Sequence, residues 1–127
     1  MINKDILKSC YKAGFKDEQE IYGAYKIFFG TLFSESRLKI INLLRKNKKN
    51  VSEIIKELNM EQTLISHDLK RLRRCGFVEV EKVGKFRYYK LNDKTIKPVM
   101  DLIDRHMSQY CVHILKEMKG GDKNGKS

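Results

Sequence analysis

The sequence predicts a mostly α-helical domain with one small β-hairpin. Apolar residues recur roughly every three to four positions through most of the chain, which is the period of an amphipathic helix. Two β-prone runs, 77–82 and 86–91, flank a turn at 83–85 that contains a glycine, which is typical of a hairpin. The segment just before the hairpin, 62–74, has one cationic side and one apolar side and is predicted to be a helix.

The composition limits the class of protein and its partners. The 127 residues include 27 Lys and Arg against 16 Asp and Glu, a formal net charge of +11. Such an excess favours nucleic acid or an anionic membrane surface over acidic small molecules as a partner. No apolar run approaches the ~18 residues that span a bilayer, and the N-terminus lacks the apolar core of a signal peptide. Three widely spaced cysteines do not form a disulfide framework, so we expect a cytoplasmic protein.

Two helices are expected at the start of the chain. The first ends near Gly14 and has an apolar side made of Ile6, Leu7, Cys10 and Tyr11. The second opens at the acidic run 17–20, as the helix dipole prefers. Its apolar residues are Ile21, Tyr22, Tyr25, Phe28, Phe29, Leu32 and Phe33. This aromatic surface is too large for a solvated helix, so either the domain core or a second copy of the chain should cover it.

Ser34 is expected to cap a third helix, and the broad apolar side of that helix predicts a central place in the core. That side carries Leu38, Ile40, Ile41, Leu43 and Leu44. The cationic segment 45–50 that follows is expected to be a loop. It is either a solvated connection or a contact to nucleic-acid phosphates.

Two short helices separated by a brief turn come next and form a helix-turn-helix. Ser52 is expected to cap the first, and Asn59, which tolerates left-handed geometry, ends it. The second is the cationic helix 62–74, which ends at 75–76. Its apolar side carries Ile65, Leu69 and Leu72. A cationic helix that leads directly into a basic-tipped hairpin is the winged-helix arrangement for binding double-stranded DNA.

The predicted DNA contacts lie on the cationic side of this helix and at the wing. Gln62, Thr63 and Ser66 are residue types that read base edges. His67 is expected to contact a base or a phosphate, with a helix cap or an intrahelical contact as the alternative. The remaining residues are expected to anchor phosphates or to reach the flank of the site: Lys70, Arg73, Arg74, Lys85 and Arg87.

A last helix is expected to start near Pro98 and to run to about Met118 without interruption. One stripe of this helix carries Val99, Leu102, Ile103, His106, Met107, Tyr110, Ile114 and Met118. The polar, Gly-rich segment 120–127 is predicted to be a disordered tail. Residues 1–119 are therefore expected to form a single domain.

Three stretches carry a resemblance to a known family: LFSESRLKIINLL, VSEIIKELNMEQTLISHDLKRLRRCGFV and GKFRYYKL. With them, segment 32–91 resembles the ArsR/SmtB family of small dimeric winged-helix repressors. The resemblance implies a sequence-specific repressor whose N- and C-terminal helices form a homodimer interface. It also implies that helix 62–74 of each copy enters a major groove, with the wing 77–91 at the flank. Glu61 departs from the family pattern, in which Ser or another good cap is usual.

Many members of this family bind metal at one of two sites. The family's thiolate site corresponds to 57–61, which contains no cysteine, so that site is absent. The family's zinc site on the last helix corresponds to Asp93, Thr95, His106 and Gln109, where two of the ligands are poor donors. We therefore expect no metal at the family positions, and no cofactor.

Two other sensing sites stay open as alternatives. His106, His113 and Glu117 share a helical face with Tyr110, which allows a different, two-fold metal site. The resemblance places Cys10 and Cys111 in terminal helices that pack together. They form either a thiol switch or a soft-metal pair, or they are small buried apolar residues. The inducer itself is not specified by the sequence.

The sequence contains no paired carboxylates in a pattern that indicates an active-site cleft, no nucleophile motif and no phosphate-binding glycine loop. We therefore expect that the protein is not an enzyme. Two functions stay open. One is a homodimeric, sequence-specific transcriptional repressor. The other is a less specific architectural or chromosome-associated protein that binds DNA with the same fold. The base-reading residue types at positions 62, 63 and 66 favour the first.

Overall fold

The computed structural model describes residues 2–124. The elements in chain order are α1 (Lys4–Lys12), α2 (Glu18–Leu32), α3 (Glu35–Leu44), β1 (Lys49–Asn50), α4 (Val51–Leu58), α5 (Gln62–Arg74), β2 (Val78–Val83), β3 (Phe86–Leu91), α6 (Ile96–Gln109) and α7 (Cys111–Asn124). The chain divides into a first compact unit, 1–90, and a second, 91–127. The single domain expected over 1–119 stays a prediction. The tail predicted at 120–127 overlaps the end of α7, and positions 125–127 lie outside the described residues.

Polar side chains cap the first helices of the first unit, because the first backbone N–H groups of a helix have no partner within it. Asp17 accepts a hydrogen bond from the N–H of Glu20 at the start of α2, at 2.9 Å. Ser34 accepts one from the N–H of Arg37 at the start of α3, at 3.3 Å. The predicted Ser34 cap is therefore confirmed.

The cap of α4 differs from the prediction. The expected cap was Ser52, but Asn50 takes this position and α4 starts at Val51. The Asn50 side chain accepts from the N–H of Glu53, and the Glu53 carboxylate accepts from the N–H of Asn50, both at 2.9 Å. This reciprocal pair satisfies two N–H groups at once, and it therefore begins the helix earlier than a serine at position 52 would.

The turn between α4 and α5 is set by backbone conformation. Asn59 has φ 52° and ψ 49°, which is the left-handed geometry that ends α4 and lets the chain reverse into α5. Glu61 stands at the start of α5 and makes no capping hydrogen bond through its side chain. At the other end of α5, Gly76 has φ 78°, which any residue with a Cβ adopts only with strain.

The predicted hairpin is confirmed and gains a third strand. The sheet order is β1-β3-β2, and β1 is antiparallel to β3 with Lys49 opposite Tyr89 and Asn50 opposite Tyr88. The cationic segment 45–50 is therefore not only a solvated loop, because its last two residues pair with the wing. Lys49 also forms an ion pair with Glu57 at 2.9 Å.

The apolar core of the first unit is formed by α2–α5 and the start of β2. The apolar side predicted for α5 is confirmed, since Ile65, Leu69 and Leu72 are at most 1% exposed. Phe28 of α2 contacts Phe77, which precedes β2, with ring centroids 5.1 Å apart. The other buried apolar residues of this unit are Ile21, Ile40, Ile41, Leu44, Ile54 and Val78.

The second unit contains two helices where the sequence predicts one. The prediction of an uninterrupted helix to Met118 is wrong, because the helix breaks at Tyr110, where φ is −124° and ψ is −59°. Segment 99–119 has no proline or glycine, the residues from which a helix break is predicted. The hydroxyl of Ser108 donates to the carbonyl of Arg105 at 2.8 Å. Such a local bond competes with the bonds of the helix and bends it.

Candidate nucleic-acid interface

The residues predicted to contact DNA all lie on the exposed surface of the first unit. The members on α5 are Gln62, Thr63, Ser66, His67, Lys70, Arg73 and Arg74. Lys85 is exposed in the turn of the wing, between β2 and β3, and Arg87 is exposed on β3. The opposite side of α5 is buried in the core, so the helix presents a surface that no described residue of the chain covers.

The exposed charge of α5 is entirely positive. Its single acidic residue, Asp68, is 2% exposed and faces inward. One oxygen of Asp68 accepts from the hydroxyl of Ser36 at 2.6 Å, and the other accepts from a terminal nitrogen of Arg37 at 3.3 Å. A buried carboxylate is tolerated only with such partners. This arrangement removes the only negative charge of α5 from the surface proposed to meet DNA.

Arg37 connects Asp68 to the end of α2. Its Nε donates to the carbonyl of Thr31 at 2.7 Å, and its second terminal nitrogen donates to the carbonyl of Gly30 at 3.1 Å. The last carbonyls of a helix have no partner within the helix. Arg37 therefore satisfies the end of α2 and pairs with α5 through the same planar guanidinium group.

A second polar connection lies one turn further along α5. The Nε of Arg71 donates to the hydroxyl oxygen of Thr31 at 3.1 Å. Thr31 is fully buried, and its hydroxyl donates to the carbonyl of Ile27 at 2.7 Å. The Sγ of Cys75 lies 3.3 Å from the same hydroxyl oxygen. Sequence reasoning assigned no role to Arg71, which the structure joins to α2.

One exposed apolar residue of α5 was also missed. Leu64 lies in the first turn of α5 and is 42% exposed. The first turns of a recognition helix are those that reach base edges, and an apolar side chain there suits the methyl group of thymine. The sequence did contain a signal for its exposure, because Leu64 lies outside the apolar stripe of the helix.

The alternative metal residues do not form a site within the chain. Among the side chains that the structure describes, those of residues 2–120, no three or more His, Cys, Asp or Glu come together in a way that could hold a metal ion. His106 instead packs on Tyr110, with ring centroids 4.7 Å apart. His113 and Glu117 are exposed on α7. A site built from these residues would need ligands from a second copy of the chain.

We expect the purified protein to carry no stoichiometric zinc, nickel or cadmium at the positions of the family's sites, because too few good donors stand there. Elemental analysis of protein purified without chelators measures this directly. One tightly held metal per chain that disappears in His106→Ala would contradict the prediction.

The three cysteines are free. Cys10 is half-buried in α1 of the first unit, and Cys111 is exposed at the start of α7 in the second. The thiol switch suggested for this pair stays a prediction. Cys75, at the end of α5, is half-buried beside Thr31.

The sequence is similar to a family of known proteins. A family model described as "Bacterial regulatory protein, arsR family" matches residues 34–80. An uncharacterised HTH-type transcriptional regulator of Methanocaldococcus jannaschii is 37% identical over 70 residues, which cover 54% of this chain and 79% of that protein. The chain belongs to the ArsR family.

Solved structures of similar proteins have the same fold. Reduced HlyU from Vibrio cholerae superposes with a TM-score of 0.61 at 26% identity, covering 73% of this chain and 95% of HlyU. A Mycobacterium bovis winged helix-turn-helix domain, described as homodimeric and DNA-binding, superposes with a TM-score of 0.70 at 24% identity. That match covers 80% of this chain and 94% of the domain. The predicted winged helix-turn-helix fold is therefore confirmed.

Membership in the ArsR family favours a transcriptional regulator over an architectural DNA-binding protein. The description of this family names its members as regulatory proteins. Within residues 2–124, no helix has both the length and the apolar character required to cross a membrane.

Proposed function

We propose that this ArsR-family protein is a cytoplasmic, homodimeric repressor that binds specific sites on double-stranded DNA. In this proposal α5 of each copy enters a major groove, and the wing formed by β2 and β3 contacts the flank. The observation that carries the proposal is the exposed side of α5, which combines base-reading residue types with only positive charge. The pairing of Asp68 with Arg37 and Ser36 is what makes that side uniformly cationic.

The homodimer is supported by apolar side chains that a single chain leaves exposed. In the first unit, α2 presents a stripe of large residues between 48% and 58% exposed: Tyr22, Tyr25 and Phe29. In the second unit, the exposed apolar residues include Leu102, Met107, Tyr110, Ile114 and Met118. Exposed apolar surface of this extent marks an interaction site. A second copy of the chain is the partner that the resemblance to dimeric repressors indicates.

Repression is the direction of regulation that we propose. HlyU of Vibrio cholerae is named a transcriptional activator, so relatives of similar fold are not all repressors. A transcription assay on a promoter that contains the bound site distinguishes the two. Added protein should lower transcript yield, and a rise would show that activation is the correct direction.

The first functional prediction concerns the phosphate contacts. A dimer that presents five exposed cations twice could neutralise about 6–10 phosphates, so log affinity should fall with log salt concentration at a slope of about −5 to −9. The cations are Lys70, Arg73, Arg74, Lys85 and Arg87. Lys85→Ala should weaken binding to all sequences alike and make the slope shallower, because it removes a phosphate contact. A titration at several salt concentrations measures both effects.

Gln62→Ala should behave differently in the same titration. A base-edge hydrogen bond discriminates between base pairs by about 1–3 kcal/mol and releases no counterions. Gln62→Ala should therefore relax the preference at one position of each half-site and leave the salt slope nearly unchanged. The probes are a duplex that the wild-type protein selects from random-sequence DNA and a scrambled duplex of the same composition.

Lys39→Ala is the matched control for Lys85→Ala. Lys39 is exposed on α3, pairs with Glu35 and lies outside the proposed interface. Its loss removes the same charge and should change neither the slope nor the preference. If the variants at positions 62 and 85 lower affinity for both duplexes by one common factor, the assigned division between base and phosphate contacts is wrong. The architectural function would then be favoured.

A further inference from the structure

The recognition helix α5 is held from two directions, by two polar contacts one turn apart. Asp68 binds Ser36 and Arg37 of α3, and Arg71 binds the hydroxyl of Thr31, the next-to-last residue of α2. A helix held at a single point can still turn about its own axis. Contacts to two neighbouring helices, three residues apart along α5, oppose that rotation.

Thr31 is the centre of the second contact. It is 0% exposed, and its hydroxyl proton goes to the carbonyl of Ile27 at 2.7 Å. A hydroxyl has one proton and two lone pairs, so the oxygen remains available as an acceptor. Arg71 donates to it at 3.1 Å, and the Sγ of Cys75 lies 3.3 Å from it. One buried oxygen thus contacts both the last turn of α5 and the residue that follows the helix.

The guanidinium of Arg71 lies across the end of α2. A Cβ built at Gly30 would lie 3.8 Å from a terminal nitrogen of Arg71. Arg71 differs in this respect from its neighbours Lys70 and Arg73, whose side chains make no hydrogen bond with any described residue. Its position fits a side chain that fixes the helix to the protein rather than one that reaches for a phosphate.

We propose that Thr31 is a positioning residue for DNA recognition, whose hydroxyl holds Arg71 and so fixes the rotation of α5 about its axis. This inference rests on the proposed function of α5. The surface of a helix lies about 5–6 Å from its axis, so a rotation of about 10° moves a base-reading atom by about 1 Å. Hydrogen bonds between base edges and side chains tolerate only a few tenths of an ångström around their usual length. Small rotations therefore change sequence preference.

The test uses two substitutions at position 31 that separate the hydroxyl from the methyl group. Thr31→Val keeps the shape and removes the hydroxyl, whereas Thr31→Ser keeps the hydroxyl and removes the methyl. The measured quantity is the affinity for the selected duplex divided by the affinity for the scrambled duplex. It is taken well below the melting temperature of each variant. Thr31→Val should lower this ratio by about tenfold, the scale of one lost base-edge contact, and Thr31→Ser should keep it near the wild-type value.

A role in stability alone would give a different result. Thr31→Val would then melt at a lower temperature, but its folded form would keep the wild-type ratio, and that outcome overturns the proposal. Equal losses in the valine and serine variants also overturn it, since the methyl group would then be responsible. A wild-type protein without preference between the two duplexes would instead refute the proposed function, and the positioning role with it.

Arg71→Met keeps the test decisive if the valine variant fails to fold. Arg71 is exposed, and methionine retains most of the length of its side chain. The ratio should fall as it does for Thr31→Val, because the contact with Thr31 is lost. The lost charge lowers the affinity for both duplexes alike, so it does not change the ratio. Combining Thr31→Val with Arg71→Met should give no further loss, since both remove the same contact. Lys39→Met removes an equal charge elsewhere and should leave the ratio unchanged. An unchanged ratio in Arg71→Met would contradict the proposal.

Discussion

Replacing Tyr110 and Ile114 with aspartate should convert the protein from a dimer to a monomer and reduce its affinity for the selected duplex by about 10²–10⁴-fold. Both side chains are more than half exposed in a single chain, at 57% and 56%. In the proposed dimer they are covered, and a buried, unpaired carboxylate would oppose association. A monomer holds only one half-site, so it loses the gain that comes from linking two binding events.

Sedimentation equilibrium measures the mass of the variant, and a DNA titration measures its affinity. Gln109→Asp combined with Lys116→Gln is the matched control. These exposed polar positions lie within two residues of the substituted ones, and the pair of changes alters the net charge by the same amount. The control should remain dimeric and bind as the wild type does. A wild-type protein that sediments as a monomer would refute the dimer directly.

Asp68→Ala should lower the free energy of unfolding by about 3 kcal/mol, because it leaves a largely buried cation without its counter-charge. The Arg37 side chain is 16% exposed, and the Asp68 side chain is 3% exposed. Ser36 also loses the acceptor that it reaches at 2.6 Å. Urea denaturation at a fixed protein concentration gives the change, since dimerisation makes apparent stability depend on concentration.

Glu35→Ala provides the comparison for Asp68→Ala. It removes a carboxylate from the ion pair with Lys39, in which the two side chains are 86% and 55% exposed. Exposed pairs contribute little because water screens them, so the loss should be no more than about 0.5 kcal/mol. Similar losses in the two variants would show that burial does not govern the strength of the Asp68 contact.

The segments that sequence reasoning predicted well are those with short-range signals. The boundaries of α5 follow from its apolar period and from the glycine at position 76, and the hairpin follows from two β-prone runs around Gly84. The cationic side of α5 is exposed as predicted, because the opposite side carries enough apolar surface to fix its orientation. These features depend on residues within about one or two turns of each other.

The contacts that the sequence did not reveal join distant residues. Asp68 and Arg37 are 31 positions apart, and no local pattern links them. One signal was available, since a period of about 100° per residue places Asp68 beside Leu72 on the apolar side of α5. A carboxylate there has to be paired. The strand β1 is similar, because its two residues become a strand only by pairing with β3.

The break at Tyr110 was missed for another reason. Helix breaks are predicted from proline and glycine, and neither occurs in 99–119. The bond from Ser108 to the carbonyl of Arg105 is one that a serine in any helix could make, so its presence cannot be inferred from the residue type. The apolar stripe of this region is consequently divided between α6 and α7.

The long separations in the polar contacts of α5 also bear on how the protein folds. Ser36 and Asp68 are 32 positions apart, Thr31 and Arg71 are 40 apart, and Thr31 and Cys75 are 44 apart. Closing loops of this length costs conformational entropy before the contacts stabilise anything. The turns of α5 can therefore form early from local bonds, while its final orientation is acquired late. During synthesis α2 and α3 emerge before α5. The residues of α2 and α3 that orient α5 are therefore already present when its last turn is synthesised.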